Sequence, residues 1–293
     1  MQRRVEHKTS RTAEMTCMSR ASSYFEKNPL YKSNDYIAPI LLPKFMKLIV
    51  RFPATRSILM NKFAPKGIYE YVIARTKLID EAFINAIDDN FDQILIFGAG
   101  FDSRSIRFSN YKSKIKIFEL DAPPTQIAKR KQYHKRKIEV PKNLTFIPID
   151  FEKEALTKKL SESGFKKDKR SLFILEGLVM YLQKESVDET FKVISEYAGK
   201  ESRVIFDFIH LSIFEDNFKL YGQKEIIKMV SDSDEKWHFG LEYEKINEFL
   251  SKYNLKLIEN YDSKKLEDKY FKNKDGFIES KINETHCIAI AEK

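Results

Sequence analysis

The segment Ile94–Arg104 constrains the fold most, because an apolar run there ends in two glycines followed by an acidic residue. This pattern is typical of a buried strand, a tight turn at which backbone approaches a ligand, and the start of a helix. A dinucleotide fingerprint would require a third glycine where this chain has Ser103, and Asp102 would repel a pyrophosphate. The turn therefore favours a nucleotide-like ligand that carries positive charge, such as S-adenosylmethionine. An ordinary strand–helix turn is the alternative.

Apolar segments alternate with helical patterns along the chain after Gly98, which predicts a doubly wound α/β sheet of seven strands. Such a sheet binds ligands at the carboxyl ends of its strands, near the point where the strand order reverses. The predicted strands are residues 93–97, 115–120, 144–151, 172–176, 203–209, 255–259 and 286–291.

Two regions depart from this alternation. Residues 1–65 contain short helical pieces interrupted by prolines, and we predict that they form a helical cap on a cofactor-binding domain of residues 66–293. Residues 211–245 are an insertion after the fifth strand, and they hold the only tryptophan, Trp237. The cap and the insertion together are expected to enclose a pocket for a small-molecule substrate.

Composition restricts the class of protein. With 293 residues, of which 42% are hydrophobic, the chain can bury the core of a globular domain. No apolar run approaches the roughly 20 residues that span a bilayer, so we expect no membrane partner. The first residues lead into no hydrophobic signal core, and we expect a cytoplasmic protein. Cys17 and Cys287 stand far apart, and no cluster of His, Cys and Asp has the spacing of metal ligands, so we expect no metal.

The formal charge of +9 includes one concentrated basic run, residues 129–137. Such a run is either a solvated helix face or a patch for RNA. No aromatic interleaving or RNA-binding signature accompanies it, so nucleic acid is not the expected partner.

One arginine lies on the apolar face of a predicted helix. Residues 66–89 have a helical apolar stripe, and Arg75 falls on it three residues after Val72 and four before Ile79. A buried guanidinium requires an anionic partner, which is either an internal carboxylate or the carboxylate of a ligand. Arg20 is a candidate for a second anchor of that ligand carboxylate.

Acidic residues follow three of the predicted strands. Asp121 lies at the spacing from Gly98 expected for a carboxylate that binds ribose hydroxyls. Asp150 could accept a hydrogen bond from an adenine amine, and Phe151 could pack against the adenine ring. Glu176 could bind an ammonium group. Each acid alone could instead be a helix cap or a solvated loop residue. Their shared position at one sheet edge favours the ligand site.

The candidates for the acceptor side of the pocket are less distinctive. His210 follows the fifth strand and His238 lies in the insertion, and either could serve as a general base or could be a structural histidine. Trp237 suits an apolar or planar acceptor, with packing in the core as the alternative.

Taken together, these motifs resemble the leucine carboxyl methyltransferase family, which includes bacterial polyketide-type O-methyltransferases. The likeness spans roughly residues 12–293, and its central elements are the turn, the second strand end and the fourth strand end. The matching segments are Thr12–Ala13, Arg20–Ala21, Ala74–Thr76, Phe97–Arg104, Phe118–Pro123, Leu175–Leu182, Phe239–Leu241 and His286–Ala289.

The resemblance implies a class I S-adenosylmethionine-dependent methyltransferase whose last strand is antiparallel. It implies that Arg20 and Arg75 hold the methionine carboxylate, although some members carry lysine at the position of Arg20. It further implies that Gly98 lines the cofactor and that Asp121 binds the ribose. Asp150 and Phe151 would recognise the adenine, and Glu176 would receive the amino group. Tyr181, in the matching segment after Glu176, is a further candidate for the substrate pocket.

Our hypothesis is therefore methyl transfer to an oxygen of a small organic acceptor, either a carboxylate or a phenolic hydroxyl. A carboxylate, with a pKa of about 4, is ionised at neutral pH, whereas a phenol, with a pKa of about 10, would benefit from a base. Because no base is evident, a carboxylate is favoured and no catalytic residue is assigned. The alternatives are a nicotinamide-dependent oxidoreductase and a basic RNA-binding protein with a vestigial cofactor fold.

Overall fold

Seven strands form one sheet in the structure, a computed structural model that describes residues 7–109, 114–215 and 217–293. The strands are β1 (Gln93–Phe97), β2 (Lys116–Asp121), β3 (Leu144–Pro148), β4 (Ser171–Leu175), β5 (Arg203–Ile209), β6 (Lys256–Tyr261) and β7 (His286–Glu292). Their spatial order is β3-β2-β1-β4-β5-β7-β6, and β7 pairs antiparallel with both β5 and β6. The predicted doubly wound, mostly parallel sheet with an antiparallel last strand is confirmed.

The strands follow the predicted segments closely, and β3 differs most. It ends at Pro148 rather than at residue 151, and proline has no backbone N–H to continue a ladder. Asp150 and Phe151 consequently lie in the turn that follows β3.

Short helices fill the described part of the predicted cap. The cap helices are α1 (Arg11–Tyr24), α2 (Ala38–Leu41), α3 (Lys44–Arg51) and α4 (Pro53–Ile58), followed by a π-helical turn (Leu59–Phe63). They pack through a separate apolar cluster in which Cys17, Leu41 and Val50 meet Phe101 and Tyr133. Residues 1–6 of the predicted cap and residue 216 of the predicted insertion lie outside the described residues.

Helices cover both faces of the sheet after the cap region. They are α5 (Ile68–Asp88), α6 (Arg104–Arg107), α7 (Pro123–Lys135), α8 (Leu156–Glu162), α9 (Lys184–Tyr197), α10 (Gln223–Ser231), α11 (Ile246–Ser251) and α12 (Ser263–Tyr270). Along β1, Leu95 and Phe97 face one core, whereas Ile94 and Ile96 face the other. Helices α8, α9 and α11 pack on the first face, and α5 and α12 pack on the second. The central strands are therefore buried on both sides, as in other parallel sheets.

Within residues 7–109, 114–215 and 217–293, no helix has both the length and the apolar character required to cross a membrane. The same described ranges contain no group of three or more His, Cys, Asp or Glu side chains placed to hold a metal ion.

Candidate active site

A cavity of about 920 Å³ opens at the carboxyl ends of β1 to β4. Its volume lies in the upper part of the range for small-molecule sites, about 300–1,000 Å³. The sheet edge forms its floor, and α1 and the segment 231–238 form its opposite wall. Nine of the eleven predicted site residues line it: Arg20, Arg75, Gly98, Asp121, Asp150, Phe151, Glu176, Tyr181 and His238.

The turn after β1 brings backbone close to the cavity. Gly98 and Gly100 have φ angles of 62° and 48°, a region that favours glycine. A Cβ atom on Gly98 would lie 3.1 Å from the Leu178 side chain, and one on Gly100 would lie 3.1 Å from the Ala13 side chain. Side chains at these two positions would therefore strain the turn and crowd the cavity.

Asp121 lies at the end of β2, and its carboxylate accepts hydrogen bonds from the backbone N–H groups of Gly100 and Ala122. Burial raises the pKa of Asp121 to about 6, although the two N–H groups oppose the shift. The neighbouring acid Glu119 instead accepts from Lys129 Nζ at 2.7 Å and from the Ser105 hydroxyl. Asp121 is thus the acid of this strand end that faces the cavity.

We expect the affinity for cofactor to fall as the pH drops below about 6. The ionised carboxylate of Asp121 can accept from two ribose hydroxyls, and protonation removes that charge. For one linked proton, the loss approaches tenfold per pH unit below the pKa. Calorimetry across this range checks the expectation, with Asp121→Asn predicted to bind weakly and with a flat profile. A flat profile in the wild-type protein would contradict it.

Acid should change the stability of the cofactor-free fold in the direction opposite to its effect on cofactor affinity. The two effects of protonating Asp121 can therefore be told apart. A carboxyl group whose pKa is raised on folding destabilises the folded protein when it is ionised. Protonation of Asp121 below about pH 6 therefore stabilises the fold, so unfolding does not explain a loss of cofactor affinity there.

Asp150 and Phe151 line the cavity from the turn after β3. Asp150 Oδ1 accepts from the backbone N–H of Glu152 at 3.0 Å, which fixes the carboxylate in the turn. The Phe151 ring packs 6.0 Å from the Phe97 ring and leaves part of its surface accessible. An apolar ring beside a fixed carboxylate suits a flat heterocycle with an amino group.

Arg75 and Glu176 form one charged unit at the end of β4. Arg75 Nε lies 3.1 Å from Glu176 Oε1, and Arg75 Nη1 donates to Asp207 in the middle of β5. Burial disfavours the charge on Arg75, but Asp207 and Glu176 outweigh it and raise the pKa of Arg75. The Arg75 guanidinium passes close to Gly177, where a Cβ atom would lie only 3.4 Å from Arg75 Nη1. Because glycine lacks that atom, the guanidinium has room to reach the cavity lining.

Arg104 is the chief site-supporting residue that sequence reasoning missed. Its fully buried guanidinium bonds to Asp80 at 2.7 Å, to Glu176 Oε2 at 2.7 Å and to Asp102. Burial opposes the ionisation of Glu176, but Arg104 and Arg75 outweigh it and lower the pKa of Glu176. One signal was available, since Arg104 begins the helix that follows the glycine turn and stands two residues after the acidic Asp102.

A second ion cluster fixes Arg20 in the cap. Arg20 Nη1 bonds to Asp35 at 3.0 Å, and Nη2 donates to the carbonyl of Phe101 in the glycine turn at 2.7 Å. Asp35 also accepts from the Ser103 hydroxyl at 2.7 Å. These contacts hold α1 against the turn, so Arg20 links the cap to the floor of the cavity.

The remaining wall of the cavity joins α1 to the insertion. The Glu235 carboxylate accepts from the backbone N–H groups of Arg11 and Thr12, at 2.7 and 3.1 Å. The hydroxyls of Thr12 and Tyr181 lie 3.2 Å apart, and burial raises the pKa of Tyr181. His238 lines the cavity, and its backbone N–H donates to the carbonyl of Met180.

Two predicted site residues do not reach the cavity. Trp237 packs in an apolar cluster behind Tyr181, with its ring 6.5 Å from the Tyr181 ring and 5.4 Å from the His286 ring. His210 continues from β5 and stacks on Tyr243 at 6.3 Å. Backbone pairing with Leu241 holds His210 at the end of β5, outside the cavity lining. The segment 231–238 does line the cavity, but the Trp237 ring packs in the apolar cluster instead, so we assign neither residue a contact with the acceptor.

The site fits S-adenosylmethionine on chemical grounds. The turn in which Gly98 and Gly100 lack a Cβ atom, the Asp121 carboxylate in the cavity lining, and the Phe151 ring beside Asp150 match the nucleoside half. Arg75 and Glu176 place opposite charges where a carboxylate and an ammonium group would lie. The mostly parallel sheet with its antiparallel β7, together with this site at the carboxyl edge, is the arrangement of a class I methyltransferase.

The chain belongs to the leucine carboxyl methyltransferase family, whose model matches residues 13–195. A candidate S-adenosyl-L-methionine-dependent methyltransferase of Bacillus subtilis (strain 168), YktD, is 25% identical over 221 residues, which cover 75% of this chain and 72% of that protein. One from Mycolicibacterium paratuberculosis (strain ATCC BAA-968 / K-10) is 27% identical over 181 residues, 58% of this chain and 57% of that protein. The chain thus spans a little over half the length of the mycobacterial relative.

Among solved structures, a candidate methyltransferase from Thermobifida fusca YX superposes with a TM-score of 0.57 at 12% identity, over 83% of this chain and 89% of that one. This likeness concerns the fold alone. The family membership makes the chain an S-adenosylmethionine-dependent methyltransferase and removes the nicotinamide-dependent alternative.

Proposed function

We propose that the protein methylates an oxygen of a small organic acceptor, either a carboxylate or a phenolic hydroxyl, with a carboxylate favoured. The observation that carries this proposal is the pair of hydroxyl groups, Thr12 and Tyr181, which meet in the cavity wall opposite the sheet edge. The raised pKa of Tyr181 keeps its phenol protonated at neutral pH, so it can donate to an anionic oxygen.

The residues available as bases favour a carboxylate acceptor. His210 lies outside the cavity, whereas His7 and His238 are exposed residues of its wall. A carboxylate, with a pKa of about 4, is already ionised at neutral pH and requires no proton transfer before it reacts. A phenol, with a pKa of about 10, would depend on a base such as His238.

The chain's own contribution is binding, orientation and exclusion of water. Bound S-adenosylmethionine supplies a methyl group already activated by its sulfonium. Asp121 would hold the ribose, Arg75 and Glu176 would hold the amino-acid end, and Thr12 and Tyr181 would orient the acceptor oxygen. The wall in which α1 is joined to Glu235 would shield the reacting atoms from water.

The product of a carboxylate acceptor should be a methyl ester that is labile to alkali. We expect methyl transfer from radiolabelled cofactor to members of a panel of aliphatic and aromatic carboxylic acids, with volatile methanol released when the product is treated with base. Matched phenols would give methyl ethers, which survive the same treatment.

The variant Asp121→Asn, with weakened cofactor binding, is the matched control for background methylation. An alkali-stable product formed only from amines or carbon acids would overturn the proposed oxygen acceptor. A base-stable product formed only from phenols would keep the oxygen acceptor and overturn the preference for a carboxylate.

A further inference from the structure

One surface of the cap exposes large apolar side chains in a short stretch of chain. Phe45 is 65% exposed, Leu48 56%, Phe52 54% and Ile58 49%. The opposite side of α3 is anchored in the core by Val50, which is fully buried, and by Met46. We call the exposed surface of residues 44–58 the α3–α4 face. Clustered exposed apolar side chains are typical of an interaction surface.

Basic side chains run beside the apolar ones. Lys44, Lys47 and Arg51 are exposed and have the same i, i+3, i+7 spacing as Phe45, Leu48 and Phe52. On α3 the two sets form adjacent stripes along the helix. The α3–α4 face is therefore apolar and cationic along the same length of chain.

The segment that carries this face lacks acidic residues. Residues 36–69 contain no Asp or Glu, whereas they contain Lys44, Lys47, Arg51, Arg56, Lys62 and Lys66. Arg56 turns inward and bonds to Glu26 at 2.8 Å, and Lys66 pairs with Glu225 at 2.8 Å. The charge left to attract a partner lies mainly on Lys44, Lys47 and Arg51.

The combination of charge and apolar surface selects among partners. A second copy packed on the same face by two-fold symmetry would bring two sets of cations together. A nucleic acid would match the cations and leave the row of Phe45, Leu48 and Phe52 in water. An anionic bilayer matches both stripes, because its headgroups attract the cations and its acyl boundary accepts the apolar side chains.

We propose that the α3–α4 face binds the surface of anionic lipid bilayers, with Phe45, Leu48 and Phe52 inserted at the headgroup level. The expectation of no membrane partner rested on the lack of a spanning segment, and a peripheral contact requires none. The inference stands independently of the proposed acceptor, since the α3–α4 face lies outside the cavity lining.

Sedimentation with vesicles tests the proposal on the full chain. We expect the protein to pellet with vesicles of equal parts phosphatidylcholine and phosphatidylglycerol, and to stay in solution with phosphatidylcholine alone. Lys44→Gln with Lys47→Gln should lower the partition coefficient about 25-fold, since each cation near an anionic surface contributes about fivefold. Leu48→Ser with Phe52→Ser should lower it by about tenfold or more.

Phe277→Ser with Ile278→Ser is the matched control, because these side chains are 70% and 43% exposed elsewhere on the chain. It should leave the partition unchanged, and all variants should keep the wild-type melting temperature because the altered side chains are exposed. The proposal is overturned if the wild-type protein does not bind the mixed vesicles, or if the control loses as much binding as the α3–α4 variants. It is also overturned if Leu48→Ser with Phe52→Ser instead abolishes a dimer observed without lipid.

Discussion

Replacing Arg104 with methionine should lower the free energy of unfolding by about 3–5 kcal/mol, the usual cost of removing one partner from a buried ion cluster. The Arg104 guanidinium is fully buried and contacts Asp80, Asp102 and Glu176. Methionine keeps much of the side-chain volume. The lower free energy of unfolding would therefore reflect the missing charge and not a cavity. Urea unfolding of both proteins measures the difference.

A surface arginine offers the matched control. Arg203 has a partly exposed side chain, and it pairs with Asp89 at 3.2 Å and with Glu292 at 3.6 Å. Because such pairs contribute about 0–1 kcal/mol, Arg203→Met should change stability little. Equal losses in the two variants would refute the assigned role of Arg104.

The pH dependence of this loss provides a second check. Burial opposes the ionisation of Asp102, yet Arg104 and its other cationic neighbours lower the pKa of Asp102 to about 2. In the wild-type protein this contribution is present above the unfolded pKa, about 3.9, and is lost as the pH falls through 2. Without Arg104 the carboxyl groups would protonate at higher pH, so the deficit of Arg104→Met should shrink in mild acid.

Local chemistry made the fold and much of the cavity floor predictable. An apolar run that ends in Gly98 defines both the strand and the turn, because each depends on neighbouring residues in sequence. Asp121 and Glu176 directly follow apolar runs, and parallel strands bring such ends to one edge. The structure accordingly places both carboxylates at the floor of one cavity.

Contacts across the chain were the part that sequence patterns did not reveal. Arg20 meets Asp35, and Arg75 meets Asp207, through packing of the cap and of α5 that no short-range pattern encodes. Asp207 did leave a trace, since a carboxylate inside the apolar run of β5 requires a buried cation. The sequence holds no comparable indication for Trp237, because a tryptophan side chain suits an acceptor pocket and an apolar core equally well.

Replacing Arg75 with alanine should weaken S-adenosylmethionine binding by roughly 2–4 kcal/mol, through loss of a charge-assisted contact to the cofactor carboxylate. The structure adds a second cause, because Arg75 also orients Glu176, whose Oε1 lies 3.1 Å from Arg75 Nε. Removing Arg75 therefore disturbs both groups assigned to the amino-acid end of the cofactor. Calorimetry on the folded variant measures the change in affinity.

Asp207→Asn separates a binding role of Arg75 from a purely internal ion pair. Asp207 contacts Arg75, Tyr71 and the backbone N–H of Gly177, and it does not line the cavity. If Arg75 served only this pair, both variants would lose stability and bind cofactor like the wild-type protein. If Arg75 holds the cofactor, Asp207→Asn should retain most of the affinity and Arg75→Ala should lose it. Unchanged affinity in folded Arg75→Ala would assign the carboxylate to another cation, with Arg20 the first candidate.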